Sequence, residues 1–267
     1  MLTNSMLLHK VETSPPPSPT GVNNPRLQAR HTAGAKRQKY LRRIFKFQQM
    51  DFEFALWQML YLFISPQKVY RNFQYRKQTK DQWARDDPAF LVLLSICLCV
   101  SSIGFAIVLK LHVLAFFKFL LWVVFVDCIG VGLLIASLLW FVTNKYLRSS
   151  SSAAPQDVEW GYAFDVHLNA FFPLLMILHF LQLFLLKPVI AHDWFISYFL
   201  GNTLWLIALS YYIYITFLGY SALPFLKKTV VLLYPSMLAV ISIYVLSLIM
   251  SWNWSRGLMD FYEFRVL

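Results

Sequence analysis

Charge is what this chain has least of. Only 14% of its 267 residues are Asp, Glu, Lys or Arg, whereas a soluble domain carries about 25%. A surface of this size cannot be solvated by so few ions, so a water-soluble globule is excluded. Cysteine is almost as scarce. Cys97, Cys99 and Cys128 all lie inside apolar runs with no Cys-x-x-Cys spacing, which excludes a disulfide framework and a zinc site. The sequence also lacks a glycine-rich phosphate loop, a His-Glu-x-x-His pair and a Gly-x-Ser-x-Gly elbow. The expectation is therefore a protein without a cofactor that is not an enzyme. Residues 1–10 hold neither a sustained apolar run nor a small-residue cleavage site, so the first membrane span is expected to act as the targeting signal.

What the chain has instead is apolar and aromatic surface, at 58% and 18% of its residues. The predicted fold is all-α, a polytopic transmembrane helical bundle in a lipid bilayer, behind a cytosolic N-terminal segment containing an interfacial amphipathic helix. Residues 1–35 are rich in Ser, Pro, Thr and Asn and have too little apolar surface to offset the entropy of ordering, so they read as a disordered tail. Residues 36–89 form a basic cytosolic segment, and residues 90–267 the membrane domain. Five spans are expected, at residues 90–109, 119–142, 163–186, 194–217 and 230–250. Each is long enough, at about 1.5 Å per residue, for a hydrocarbon core of about 30 Å. Pro173 is expected to kink the third.

Positive charge sets the orientation. Residues 1–89 hold 15 of the 24 Lys and Arg residues, and an N-terminus in the cytosol puts 19 of the 24 on the cytosolic side. The C-terminus is then lumenal or extracellular. In the basic segment, Arg42, Arg43 and Lys46 lead into a helix from Phe47 to Ile64. Gln48, Asp51, Ala55 and Gln58 fall on one stripe, with Phe47, Met50, Phe54, Trp57 and Tyr61 opposite. Such a helix lies in the interface of an anionic leaflet or packs on the bundle. Ser65-Pro66 opens a second helix carrying Lys68, Arg71, Arg76 and Lys77. These cations and Trp57 are the candidate residues for membrane or partner binding.

Ionisable groups inside a span are site candidates by default. Asp127 in the second span and His179 in the third fall at a common depth of about 10–12 Å and are placed to pair, with Asn202 in the fourth at a similar level. Their two readings are a buried polar layer that holds a ligand and interhelical bonding that sets register. The pairs Asp165 with His167 and His192 with Asp193 lack a third ligand or a nucleophile and read as structural. Gly161-Tyr162-Ala163-Phe164 partly matches the aromatic centre of an RNA-recognition signature, making Tyr162 and Phe164 candidates for base stacking. Asn253-Trp254-Ser255 is a glycosylation pattern so close to the last span that it is expected to stay unused.

Several stretches resemble the Unc-fifty family, named for an uncoordinated-movement locus. They are Met50-Asp51-Phe52-Glu53 to Trp57-Gln58-Met59-Leu60-Tyr61, Ser65-Pro66-Gln67-Lys68-Val69-Tyr70-Arg71 to Lys80, Gln82-Trp83-Ala84-Arg85-Asp86-Asp87-Pro88-Ala89-Phe90, and Val158-Glu159-Trp160-Gly161-Tyr162-Ala163-Phe164-Asp165-Val166-His167. The likeness runs from about Tyr40 to the end. It implies a five-span Golgi membrane protein that supports transport and surface expression of assembled channels such as nicotinic acetylcholine receptors, in partnership with a large Arf guanine-nucleotide exchange factor. It also implies, as an alternative, an RNA-binding protein of the inner nuclear membrane. A small transporter or lipid-handling enzyme built on Asp127 and His179 is the further alternative from the residues themselves.

Overall fold

The computed structural model describes residues 47–72, 83–85, 87–149 and 156–266. The tail and Arg42, Arg43, Lys46, Arg76 and Lys77 lie outside the described residues. Asp51 opens the first helix, α1 (Phe52–Ile64), by accepting from Phe54 N at 2.8 Å, which satisfies one of the orphan amides of the first turn. Its last turn is closed from outside, because Tyr211 Oη donates to Leu62 O at 2.8 Å and Phe63 O at 3.0 Å. The second helix, α2, begins at Pro66 and is described over 66–72.

In hydrocarbon each backbone amide must be satisfied within the protein, so long apolar runs become helices. Five are long and apolar enough to cross a membrane: α3 (Ala89–Leu109), α4 (Val113–Leu147), α5 (Trp160–Ile190), α6 (Phe195–Ser221) and α7 (Thr229–Ile249). Helix α4 starts six residues before the expected Phe119 and takes in Lys118, which is exposed near its first turns, where a long cationic side chain reaches out of the apolar layer. Pro173 does not end α5. The helix widens into a π-helical stretch over Met176–Leu181, and α4 does the same over Val123–Gly130. A final helix, α8 (Trp254–Val266), was not expected from the sequence.

Helix α5 is the hub, with 56% of its most apolar window buried, and it packs on α4, α6, α3 and α1. Helix α7 is the outlier, resting chiefly on α6 with none of its window buried. Helix α8 packs across α6 and the first part of α4. At the other end of the bundle the α4–α5 and α6–α7 connections meet, Lys227 N donating to Leu147 O at 2.8 Å and Ser149 N to Phe225 O at 2.9 Å.

Helix α1 corrects the expected faces. Ala55, Gln58, Met59 and Leu62 are buried against the bundle, while Leu56, Leu60, Phe63 and Ile64 point outward. Of the stripe read as polar, Ala55 and Gln58 pack against the bundle while Gln48 and Asp51 stay exposed, and of the opposite face Met50 is buried. Helix α1 thus packs on α3 and α5, the second of its two readings, with Leu56, Leu60 and Ile64 on its outer side.

Candidate functional site: a cavity inside the bundle

Three polar clusters lie within the described part of the molecule; the second borders a pocket of about 350 Å³ lined by His192, Asp193, Trp252, Asn253, Arg256 and Asp260, and the third lines a cavity between the spans. The first holds the N-terminal segment on the bundle. Arg85 N donates to Asp165 Oδ2 at 2.6 Å, and the Arg85 guanidinium donates to Asn169 Oδ1 while lying 4.0 Å from the centre of the Phe90 ring. Asp165 and Asn169 share a stripe of α5 with Tyr162, whose hydroxyl donates to Gly219 O at 2.6 Å. Trp83 N and Ala84 N both donate to Glu159, each at 3.2 Å. Tyr70 completes the cluster, and its burial pushes the phenol pKa upward, so it stays protonated.

The second cluster ties the opposite end together. Asn202 Nδ2 donates to Ser247 Oγ at 2.9 Å and to Trp252 O at 2.7 Å, and its Oδ1 accepts from Trp254 N at 3.0 Å. One amide thus joins α6, the end of α7 and the start of α8. Asn202 is therefore held by these partners and is not among the residues that line a cavity with Asp127 and His179. Beside it, Asn253 Nδ2 donates to Ile190 O and Ser197 Oγ, both at 3.0 Å, while Ser255 is fully buried. A transferase cannot reach an amide held in this way, so treatment of cell-expressed protein with an N-glycosidase is expected to leave its electrophoretic mobility unchanged. A shift abolished by Asn253→Gln would refute this.

The third cluster surrounds a cavity of about 290 Å³ between α4, α5 and α6, floored by α8 and flanked by Phe105 of α3. Asp127 and His179 both line it, each from a π-helical stretch, a local widening found often at functional sites. They do not bond each other in the way expected. Asp127 Oδ2 accepts from Tyr262 Oη of α8 at 2.7 Å, and His179 Nδ1 lies 3.3 Å from Ser101 Oγ of α3. Ser101 gives its single hydroxyl hydrogen to Leu98 O at 3.0 Å, so His179 Nδ1–H is the donor between them.

His167, read from the sequence as structural and coupled to Asp165, lines the same cavity. Its Nε2–H donates to Cys128 O at 3.1 Å, a carbonyl that can only accept, and in that tautomer Nδ1 accepts from Tyr212 Oη at 2.8 Å. Asp165 and His167 are two residues apart and so point to different faces, one to the docked segment and the other to the cavity. Two more residues with polar groups belong to the lining of the cavity. Gln182, one turn beyond His179 and 2% exposed, and Trp205 of α6 both line it, and Gln182 Oε1 and Trp205 Nε1 have no hydrogen-bond partner. The three-residue step from His179 to Gln182 was the available sequence signal for the former.

The remaining candidates lie apart from the cavity. Tyr162 is fully buried, and Phe164 is stacked on Trp160 at 5.8 Å and on His167 at 6.0 Å, so the Tyr162 ring is closed to a nucleotide base and that of Phe164 is occupied. Trp57 stacks between Phe54 and Tyr61, and Lys68 lies 5.2 Å from the centre of the Tyr61 ring, with Arg71 exposed beyond it. His192 is exposed, and Asp193 pairs with Arg256 at the surface. Among the described residues no three His, Cys, Asp or Glu side chains converge as metal ligands.

A hub helix packed among apolar spans, beside an internal cavity with a few polar groups in its wall, defines a polytopic α-helical membrane protein. The chain belongs to the UNC-50 family, whose profile matches residues 40–263. It is 67% identical over 260 residues to protein unc-50 homolog A of Xenopus laevis, covering 97% of this chain and 100% of that protein. The human unc-50 homolog is 68% identical over 246 residues, 92% of this chain and 94% of that one, and the Drosophila melanogaster homolog is 59% identical over 235, covering 88% and 84%. No solved structure matches.

Proposed function

We propose that this protein is a non-enzymatic trafficking factor of the Golgi membrane. Its N-terminus faces the cytosol and its C-terminus the lumen. Its basic segment, residues 36–89, helps to recruit a large Arf guanine-nucleotide exchange factor, so that carriers holding assembled channels such as nicotinic acetylcholine receptors move to the cell surface. Membership of the UNC-50 family supports this reading. The observation that carries it is the pairing, in α1 and α2, of an outward apolar face with exposed cations: Leu56, Leu60 and Phe63 on one helix, Lys68 and Arg71 on the next. That combination seats a helix in an anionic leaflet and leaves basic side chains at its surface for an acidic partner.

Each cation near an anionic surface contributes about 1 kcal/mol. Reversing Arg71, Arg76 and Lys77 to Glu in the full-length protein is accordingly expected to reduce exchange factor co-purified from Golgi membranes by tenfold or more. In cells lacking the native protein, the same variant should fail to restore exchange factor at the Golgi and receptor at the surface. Full rescue by the charge-reversed protein would move the recruiting surface elsewhere. Unchanged recruitment and surface delivery after deletion of the whole protein would end the proposal.

A further inference from the structure

The cavity between α4, α5 and α6 presents mostly carbon to an occupant. Phe105, Phe171, Leu174, Leu178 and Leu209 form much of its wall, and the polar side chains among them are engaged or turned away. Asp127 is bonded to Tyr262, His167 to Cys128 and Tyr212, and His179 to Ser101, while Gln182 Oε1 and Trp205 Nε1 are enclosed by neighbouring atoms. An apolar cavity stays dry, and left empty it destabilises a fold in proportion to its volume. Inside a bilayer the medium that can fill it is hydrocarbon.

That medium has a way in. Helices α4 and α6 each pack on α5, and α8 bridges them beside Val113–Trp122, but farther along they are not packed on each other. There Val131, 41% exposed, and half-buried Ile135 and Leu209 line the cavity. Leu209 stands at the middle of α6, about 20 Å from either end at about 1.5 Å per residue. The mouth therefore opens at the level where a bilayer holds the ends of its chains, far from any headgroup. The lining follows α5 from His167 to Gln182, also about 20 Å, so a volume of about 290 Å³ is drawn out into a slot. At about twice the volume that encloses a benzene ring, it has room for on the order of ten chain carbons. An extended chain suits that shape better than a rigid fused ring system does.

We propose that this cavity is the seat of the distal part of one acyl chain of a bilayer phospholipid, which enters end-first between α4 and α6 and lies along α5 while its headgroup stays at the membrane surface. The chain completes the packing of the hub helix. The site is independent of the basic N-terminal segment and of any exchange factor.

The test uses the purified full-length protein in lipid nanodiscs and three photoreactive probes: a phosphatidylcholine with a diazirine at the chain end, one with the diazirine beside the ester, and a diazirine sterol. Crosslinked residues are mapped by mass spectrometry. The chain-end probe is expected to label Leu174 and Leu178 in the cavity wall as well as Ile207 on the outer side of α6, and the other two to label outward residues only. Leu209→Trp and Val131→Trp, which narrow the mouth from α6 and from α4, should each abolish labelling of Leu174 and Leu178 and leave Ile207 labelled as before. Size-exclusion profiles and thermal unfolding report whether each variant is folded, and the two lie on different helices, so that the loss of one leaves the other to decide. Absence of labelling at Leu174 and Leu178 by the chain-end probe would overturn the proposal. So would labelling there by the sterol in its place, equal labelling by the probe beside the ester, or labelling indifferent to the mouth substitutions in folded protein, since the last two describe annular lipid only.

Discussion

Arg85→Ala should be among the most damaging single substitutions in this chain, lowering stability by about 3 kcal/mol, the low end of the cost of breaking a buried charge cluster. Arg85 is only 8% exposed and its guanidinium is shared between Asn169 Oδ1 and the face of Phe90. Removing it leaves Asn169 Oδ1 without its donor and Asp165, 6% exposed, in a cluster stripped of its cation. Arg85→Lys should recover only part of the loss, because an ammonium has neither the planar fork for Asn169 nor the flat face for Phe90. Arg71→Ala, at an exposed position, should change stability by less than about 0.5 kcal/mol. The measurement is thermal unfolding in detergent, paired with limited proteolysis before α3. Equal stability of the Arg85 and Arg71 variants would show that the N-terminal segment is not held through this cluster.

Gly132→Ala comes next, at about 2 kcal/mol, the middle of the range for overpacking a filled interior. A Cβ at Gly132 would stand 2.4 Å from His167 Nε2 and Cδ2 and 3.2 Å from Phe164. The imidazole has nowhere to go without losing Cys128 O or Tyr212 Oη. Gly104→Ala provides the contrast. Its new methyl would stand 2.6 Å from Leu183 Cδ2, the end of a flexible side chain that can change rotamer, so a loss of under about 1 kcal/mol is expected. Thermal unfolding of the two variants side by side decides the matter, and a Gly104 variant as unstable as the Gly132 one would mean that the hydrogen bonds of His167 do not fix its ring.

The spans were legible because hydrocarbon demands about twenty apolar residues, and that demand overrides local detail. The boundaries of α4 were not, since Lys118 reads as a stop although a long cation tolerates a place near a helix end. The outer side of α1 was missed because polar-outside reasoning assumes water outside, whereas Leu56 and Leu60 face outward on a bundle built for lipid. Asp127 and His179 were legible as unusual and as sharing a level, and they do share a cavity. Their partners were hidden, because Tyr262 and Ser101 become neighbours only through tertiary packing. His167 was masked by its nearness in sequence to Asp165, which a helix places on another face. Helix α8 escaped notice because its 13 residues are short and polar, and its packing side, Leu258, Met259 and Tyr262, makes up only a narrow stripe.

The bond from Tyr262 to Asp127 joins residues 135 apart, and this separation orders events in time. The chain is made from its N-terminus, so the second span carries its carboxyl group into the bilayer while the residue that will receive it has yet to be synthesised. Tyr262 lies near the end of α8, so the carboxyl waits while the three later spans are made. An ionisable group inside a span is costly until it is paired, so the second span gains its full stability in the bilayer only when α8 is in place. A chain stopped short of Tyr262 would therefore hold all five spans and still leave this carboxyl without the phenol that receives it.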